Sequence, residues 1–456
     1  MSRTESNFDL EIEDKVQLYK DTFPLGDVPR VNWDFKTVPM NLPDEIYITD
    51  TTFRDGQQAR EPYTVDQILT LFDLLHRLGG PKGIIRWTEF FPFTKRDKMA
   101  IRVVKERGYE YPKVTGWMRA KKEDLQLIKE AKLEETGLLT SISDYHILYK
   151  FGLSRSQVIG KYLEVCEEVL KSGISVRCHL EDITRADFYG TVIPFAKQLV
   201  RLEDKYHLPV KIRLSDTLGV GLPYSEVALP RGIPKIVYGL IHEAMVPNYR
   251  LEFHGHNDLH KGVVNATTAW LYGCTYNNCT LLSIGERAGN TPLEAMVIEY
   301  IQLKGTSNGM DTKVISEIAD FYESIGYEIP AYYPLVGKNF TVTRAGIHAD
   351  GMLKDSEMYL PFDTEKILGR PPSIIITQYS GVAGIAFWIN QYFKLKGSER
   401  IGKEDQRVRN VSEWVEKQYA KGRMTAISDK EMERQIKKHF PELSPNRNNQ
   451  KDHLKM

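Results

Sequence analysis

The chain has 456 residues, 41% hydrophobic and 27% charged, the balance of a folded protein with one large domain or two to three smaller ones. Lys plus Arg equals Asp plus Glu at 61 each, so no global field draws in nucleic acid or an anionic membrane, and small-molecule partners are expected. Four cysteines without a CxxC pair, a polar amino terminus (MSRTESNFDLEIEDK) and no apolar run near the ~18 residues of a membrane span point to a cytoplasmic protein.

Residues 1–44 mix charge with Pro24, Pro29, Pro39 and Pro43 and read as an irregular arm without chemistry of its own. From residue 45, β-branched and aromatic runs alternate with stretches of helical period: EIYITDTT, GIIRWTEFF, YPKVTGWM, GLLTSIS, ISVRCHLED, VKIRLSDTLG, YRLEFHGHND and YNNCTLLSIGER. TVDQILTLFDLLHRLG and SQVIGKYLEVCEEVLKSG, between these runs, repeat apolar residues at helical spacing. Eight strand-then-helix units predict an α/β fold, a (β/α)8 TIM barrel over 45–320. A doubly wound sheet lacks its glycine fingerprint. Residues 321–378 carry Pro and Gly with little periodicity and read as a linker subdomain. Helical period returns over 379–445, where Ser428 and Glu431 make a capping box, and 446–456 reads as a tail.

Polar residues collect at the carboxyl ends of these strands, where barrel active sites form. Strand one ends in Arg54-Asp55, strand two carries Glu89, strand three ends near Arg119, and strand four carries Ser143 and Asp144. Glu181-Asp182, Ser215-Asp216-Thr217, HGHND and GERAGN close the later strands. His254 and His256, two apart, face the same side of a strand and can share a divalent metal or bond separately to backbone carbonyls. Asp55 supplies an anionic third ligand and Asn290 an amide oxygen, a set that suits manganese first, with magnesium, zinc, cobalt or iron as alternatives.

DTTFRDGQQ, SDTLG, HGHND and GERAGN, in this order, resemble the signatures of the metal-dependent TIM-barrel acyl-CoA condensing enzymes, which include isopropylmalate, homocitrate and citramalate synthases and the Re-face citrate synthases. The resemblance spans about residues 45–430. It implies that Asp55, His254, His256 and, more weakly, Asn290 hold the metal, that Arg54 bonds the keto oxygen of a 2-oxo acid, that Thr217 donates to its carboxylate, and that Gln58 stands beside the metal. AGIHADGMLK, outside the barrel, resembles the family's GIHxDGxLK segment, so His348 with Glu181 is expected to take a methyl proton from acetyl-CoA, assisted by Tyr359. In the family this segment crosses a homodimer, so His348 and Tyr359 are expected to act in trans.

Strands two to four should wall the side-chain pocket, where Arg119, Ser143 and His146 suit a dicarboxylate better than an isopropyl group. An ion pair between Arg119 and Glu89 is the competing reading. Gln57 stands where most members carry glutamate, and no leucine-sensing domain follows the helical region, so leucine feedback is not expected. WTEFFPF, the QQ loop and the proline-bearing arm look most like the Re-face citrate synthase branch, which implies acetyl-CoA and oxaloacetate as substrates. Other 2-oxo acids, an acyl-CoA lyase running in reverse and a non-catalytic scaffold are the alternatives, but the lyase's reactive cysteine loop is absent and a scaffold has no need of these ligands.

Overall fold

Eight parallel strands pair in chain order and close on themselves, the barrel expected from the alternating runs. The structure, a computed structural model, describes Phe8 and residues 10–443; residues 1–7 of the arm and the expected tail at 446–456 lie outside the described residues. The strands are β1 (Tyr47–Asp50), β2 (Ile85–Phe90), β3 (Lys113–Arg119), β4 (Glu135–Ser141), β5 (Ser175–Glu181), β6 (Val210–Asp216), β7 (Leu251–Gly255) and β8 (Tyr276–Cys279). The register Tyr47↔Tyr276 through Asp50↔Cys279 seals β1 against β8.

The connecting helices are α1 (Val65–Gly79), α2 (Lys95–Glu106), α3 (Leu125–Glu130), a single turn α4 (Asp144–His146), α5 (Arg155–Lys171), α6 (Ile193–Tyr206), α7 (Ile233–His242), α8 (Gly262–Tyr272) and α9 (Leu293–Lys304). In α1, Ile68, Leu71, Phe72, Leu75 and Leu78 are buried on one stripe, and a reciprocal capping box between Thr64 and Gln67 starts the helix. Among the described residues no helix is long and apolar enough to cross a membrane.

The arm is irregular, as read from its prolines, yet it is tied down. The Arg155 guanidinium donates to the Glu13 carbonyl, the Tyr145 hydroxyl to the Leu18 carbonyl, and the Ala228 amide to the Asn32 carbonyl.

Much of the barrel interior is ionic rather than aliphatic. Glu89, fully buried on β2, accepts from Arg54 at 2.9 Å, Arg177 at 2.6 Å and Arg213 at 3.0 Å. Glu252 on β7 accepts from Arg213 at 2.6 Å, and Glu135 on β4 pairs with Arg177 and Lys211. Burial alone would raise the Glu89 carboxyl, but Arg213, His179, Arg54 and Arg177 together hold it well below the usual carboxylate range. Removing one partner of such a network strands the rest. Glu89→Ala should therefore cost on the order of 3–5 kcal/mol of stability, read as a lowered calorimetric midpoint; an unchanged midpoint would contradict this account of the interior.

The chain divides into two compact units, Met1–Asp311 and Thr312–Met456. The second contains α10 (Val314–Ser324), α11 (Gly346–Lys354), α12 (Thr364–Leu368), α13 (Gly381–Tyr392), α14 (Gln406–Ala420) and α15 (Asp429–His439), with a small parallel pair, β9 (Val342–Thr343) and β10 (Ser373–Ile374). Its core joins Ala349 and Met352 of α11 to Phe387, Val411 and Ile436. Ser428 and Glu431 form the expected capping box at the start of α15.

Candidate active site

Arg54 and Asp55 do not lie on β1, as the sequence was read, but on a π-helical turn, Thr52–Gly56, that follows it. Asp50, the last residue of β1, starts the turn by accepting from the amide and hydroxyl of Thr52, and the Thr51 carbonyl then receives the amides of Arg54, Asp55 and Gly56. The difference is chemical. Neighbours on a strand point to opposite faces, whereas neighbours on a wide helical turn diverge far less, so both side chains reach the barrel mouth.

Asp55, His254 and His256 are buried and bring one donor atom each to within 4.8 Å of the others. The Asp55 Oδ2 lies 3.6 Å from His254 Nε2 and 3.7 Å from His256 Nε2, and the two nitrogens are 3.4 Å apart. Donors held ~2.1 Å from a common ion stand roughly 3–3.5 Å from one another, so the spacing fits a divalent metal. His254 Nδ1 lies 2.8 Å from Asn278 Oδ1, and the amide nitrogen of Asn278 donates to Thr49 Oγ1. Asn278 therefore presents an acceptor, Nδ1 carries the proton, and Nε2 keeps its lone pair for the cluster. Burial drives His254 down to about 3 against the pull of Asp55, which leaves the imidazole neutral as a ligand must be. Burial alone would raise the Asp55 carboxyl; the Arg54 cation, both imidazoles and Asn290 hold it far below the usual range.

Asn290 donates its amide to Asp55 Oδ2 at 2.7 Å, and its own Oδ1 is buried without a partner. It stands there because GERAGN runs beside HGHND, with His256 bridged to Asn290 and the Asn257 amide donating to the Gly289 carbonyl at 2.8 Å. Arg54 donates from Nη1 to Asp55 Oδ1 at 2.7 Å and from Nε to Glu89 at 2.9 Å. Two carboxylates thus fix the guanidinium, and Nη2 carries no hydrogen bond to another described residue.

A second cluster gathers Ser143, His146, Glu181 and Thr217 around Asp182. Ser143 Oγ donates to Asp182 Oδ2 at 2.5 Å, the Asp182 amide donates to Thr217 Oγ1 at 2.8 Å, and Glu181 lies 3.3 Å from His146 Nδ1 and 3.6 Å from Lys150 Nζ. Asp182 occupies the left-handed region, with φ of 66°, an uncommon conformation for a residue with a Cβ and one often found at functional turns. Arg287 joins the two clusters: it pairs with Asp258 at 2.8 Å and donates to the Thr217 carbonyl at 2.5 Å.

The chain that brings HGHND and GERAGN to the RDGQQ turn has known relatives. The HMGL-like family profile matches residues 45–321. The chain belongs to the HMGL-like family. Among curated relatives, the citrate (Re)-synthase of Syntrophus aciditrophicus is 51% identical over 437 residues, covering 96% of this chain and 70% of its own. The citrate (Re)-synthase of Clostridium kluyveri is 49% identical over 444 residues, covering 97% and 98%. A hydroxymethylglutaryl-CoA lyase of Pseudomonas aeruginosa has a solved structure that superimposes with a TM-score of 0.51 at 17% identity over 63% of this chain and 96% of that one, a likeness of fold alone.

In this HMGL-like chain other residues of the sequence reading stand apart from these clusters. Arg119 makes a bidentate pair with Asp124, at 2.7 and 2.8 Å, rather than with Glu89, and its side chain is half exposed. Gln58 is exposed, whereas Gln57 is buried, donating to the Phe53 carbonyl at 3.2 Å with its Oε1 unpartnered. His348 and Tyr359 belong to the second unit, where their rings lie 4.5 Å apart on an exposed surface. His348 sits on helix α11, within the stretch 321–378 that was read as having little periodicity. Gly351 is needed there, because a Cβ would come within 2.4 Å of the Tyr359 ring.

Asn278 and Lys150 escaped the sequence reading, whereas Arg287 was read with Glu286, inside GERAGN, at the close of strand eight. Asn278 had a signal, an asparagine inside the β8 run YNNC; Lys150, on the π-helical turn Ile147–Phe151 that follows α4, had none. Asn278→Ala should weaken metal binding about 10–100-fold by freeing the His254 ring, as measured by titration with a competing chelator; unchanged affinity would remove Asn278 from the account.

Proposed function

We propose that this chain condenses acetyl-CoA with oxaloacetate, attacking the keto carbon from its re face, and hydrolyses the resulting thioester to citrate and coenzyme A. The observation that carries this reading is the half identity, over nearly the whole chain, to two proteins named citrate (Re)-synthase, in a chain that keeps the buried Asp55, His254 and His256 beside Arg54.

Asp55, His254 and His256, with the Asn290 amide oxygen next to them, would hold a divalent ion, manganese in our assignment, which when bound supplies Lewis acidity to the 2-oxo acid carbonyl. Arg54, fixed by Glu89 and Asp55, offers its remaining N–H groups to the keto oxygen and stabilises the negative charge that grows there as carbon attacks. Glu181, His146 and Ser143 line one side of the mouth, where Lys150 and the His146 imidazole suit the second carboxylate of oxaloacetate and Ser143 holds Asp182 in place. Thr217 is assigned to the first carboxylate. Gln58, beside the metal, and Arg119, toward the second carboxylate, are assigned to binding the acid, although both are exposed and Arg119 pairs with Asp124.

His348 is the base that removes a proton from the methyl group of acetyl-CoA, with Glu181 and Tyr359 assisting; the new carbon–carbon bond forms as the keto oxygen takes up negative charge. Water then cleaves the thioester, releasing coenzyme A as thiol. His348 and Tyr359 are assigned to the barrel of a partner copy in a homodimer. The four unpaired, buried cysteines suit a reducing cytoplasm.

Thiol release from acetyl-CoA, measured with a panel of 2-oxo acids before and after chelation, tests this reading. Oxaloacetate alone should sustain turnover, chelation should remove it and manganese restore it. Preference for pyruvate, 2-oxoglutarate or 2-oxoisovalerate would refute the substrate, and full activity in chelator would refute the metal.

A further inference from the structure

A cavity of about 510 Å³ opens at the end of the barrel opposite to Asp55. Its walls come from strand beginnings: Lys113 opens β3, Glu135 opens β4, Ser175 opens β5, Tyr276 opens β8, and Lys211 is the second residue of β6. In barrels this face ordinarily serves stability and the interior is filled by side chains. Here the volume lies within the range of small-molecule sites.

The lining has two chemical components. Trp87, Tyr109, Tyr111 and Tyr276 supply aromatic surface, with the Trp87 and Tyr276 rings 4.3 Å apart. Basic groups lie among these rings: Lys211 Nζ sits 3.7 Å from the Trp87 centroid, and the Arg86 guanidinium lies between Tyr47, at 3.7 Å, and Tyr111, at 4.3 Å.

Several of these groups lack acceptors. Trp87 is 3% exposed and its indole N–H has no hydrogen-bond partner, and the Nε of Arg86 is likewise buried and unpartnered. Such donors cost about 1–3 kcal/mol each when unsatisfied. Arg86, Lys113 and Lys132 form no ion pair with any described residue. Glu110 and Glu134 also reach the rim, and Glu135 is shared by Lys211 and Arg177. Burial outweighs that sharing and lowers the Lys211 pKa, so a further anion beside Lys211 is electrostatically favourable.

We infer that this cavity is a second binding site, for a planar aromatic ring carrying an anionic group, of the size of a nucleoside monophosphate. The ring stacks on the half-buried Tyr111 and Tyr276 and accepts from the Trp87 N–H, while the anion takes the unpaired charges of Arg86 and Lys113 beside Lys211. The floor of the site belongs to the ion network of the barrel: Lys211 pairs with Glu135, Glu135 with Arg177, Arg177 with Glu89, and Glu89 with Arg54.

Calorimetric titration of the full chain with AMP, compared with the Lys113→Glu variant so that binding in the cavity is told apart from any adenosine-phosphate site at the other mouth, tests the inference. AMP should bind, and Lys113→Glu, on the exposed rim, and Trp87→Phe, which keeps the ring but removes the N–H, should each weaken it about tenfold or more. Adenosine and inorganic phosphate, each lacking one half of the chemistry, should bind at least about tenfold more weakly than AMP. No AMP binding, an affinity that Lys113→Glu leaves unchanged, or equal affinity for either fragment would overturn it. If Trp87→Phe fails to fold, Lys113→Glu alone decides. Thiol release by Lys113→Glu should match the wild type, which keeps this outcome separate from that of the citrate-forming reaction.

Discussion

Asp55→Ala and His254→Ala should each lose bound metal and turnover together while the barrel stays folded. The donors are close enough to share one ion, and removing one leaves at most two protein ligands besides the Asn290 amide. Lewis-acid stabilisation of developing charge is worth several kcal/mol and each ~1.4 kcal/mol is tenfold, so activity should fall by about a thousandfold or more. Elemental analysis of the dialysed protein, alongside thiol release, reads both effects. Wild-type turnover in a variant with no metal would show that the cluster is structural.

His348→Ala should have a different signature. Metal content and oxaloacetate binding should be unchanged, because the ligands and Arg54 are untouched, while turnover falls about 10²–10⁴-fold with the loss of a general base. The proposed homodimer makes this prediction sharper. When Asp55→Ala and His348→Ala chains are mixed, each is dead alone, but a site built across the dimer is intact once in every hybrid. Random pairing should then restore roughly a quarter of wild-type activity. A mixture that remains dead means that His348 serves its own barrel, and His348→Ala turning over normally removes it from the mechanism.

How far this site was legible in the sequence depended on where each residue's constraint comes from. The barrel was readable because its strands are apolar runs separated by helices with one apolar stripe, a periodicity that every residue helps to write. His254 and His256 were readable for the same reason, since the spacing of two has a fixed meaning at a strand end. Arg54 and Asp55 were identified, but on the wrong element. The π-helical turn depends on the Asp50 carboxylate capping Thr52 and the Thr51 carbonyl taking three amides, and no period in DTTFRDG announces either.

Partners across the barrel were harder still. Glu89 was offered to Arg119 only in the competing reading, and it binds instead Arg54, Arg177 and Arg213, while Arg119 turns to Asp124. The clue was present in ISVRCHLE and VKIRLSD, where a charge interrupts an apolar strand, but choosing its partner requires the closed sheet. His348 shows the reverse case. Glycines on either side lowered its helix propensity, yet α11 forms because Ala349 and Met352 bury in the second unit's core and Gly351 admits the Tyr359 ring. Gln57, read as a departure from the family signature, is the buried glutamine of the pair, held to the Phe53 carbonyl inside the turn that presents Asp55.

The central claim is that carbon from acetyl-CoA adds to the re face of oxaloacetate at the Asp55, His254 and His256 mouth. Citrate made from acetyl-CoA labelled in the acetyl carbons, with unlabelled oxaloacetate, and then cleaved by a lyase of known stereospecificity, tests it directly. The label should appear wholly in the arm set by re-face attack. Label in the opposite arm, or no labelled citrate at all, would contradict the account.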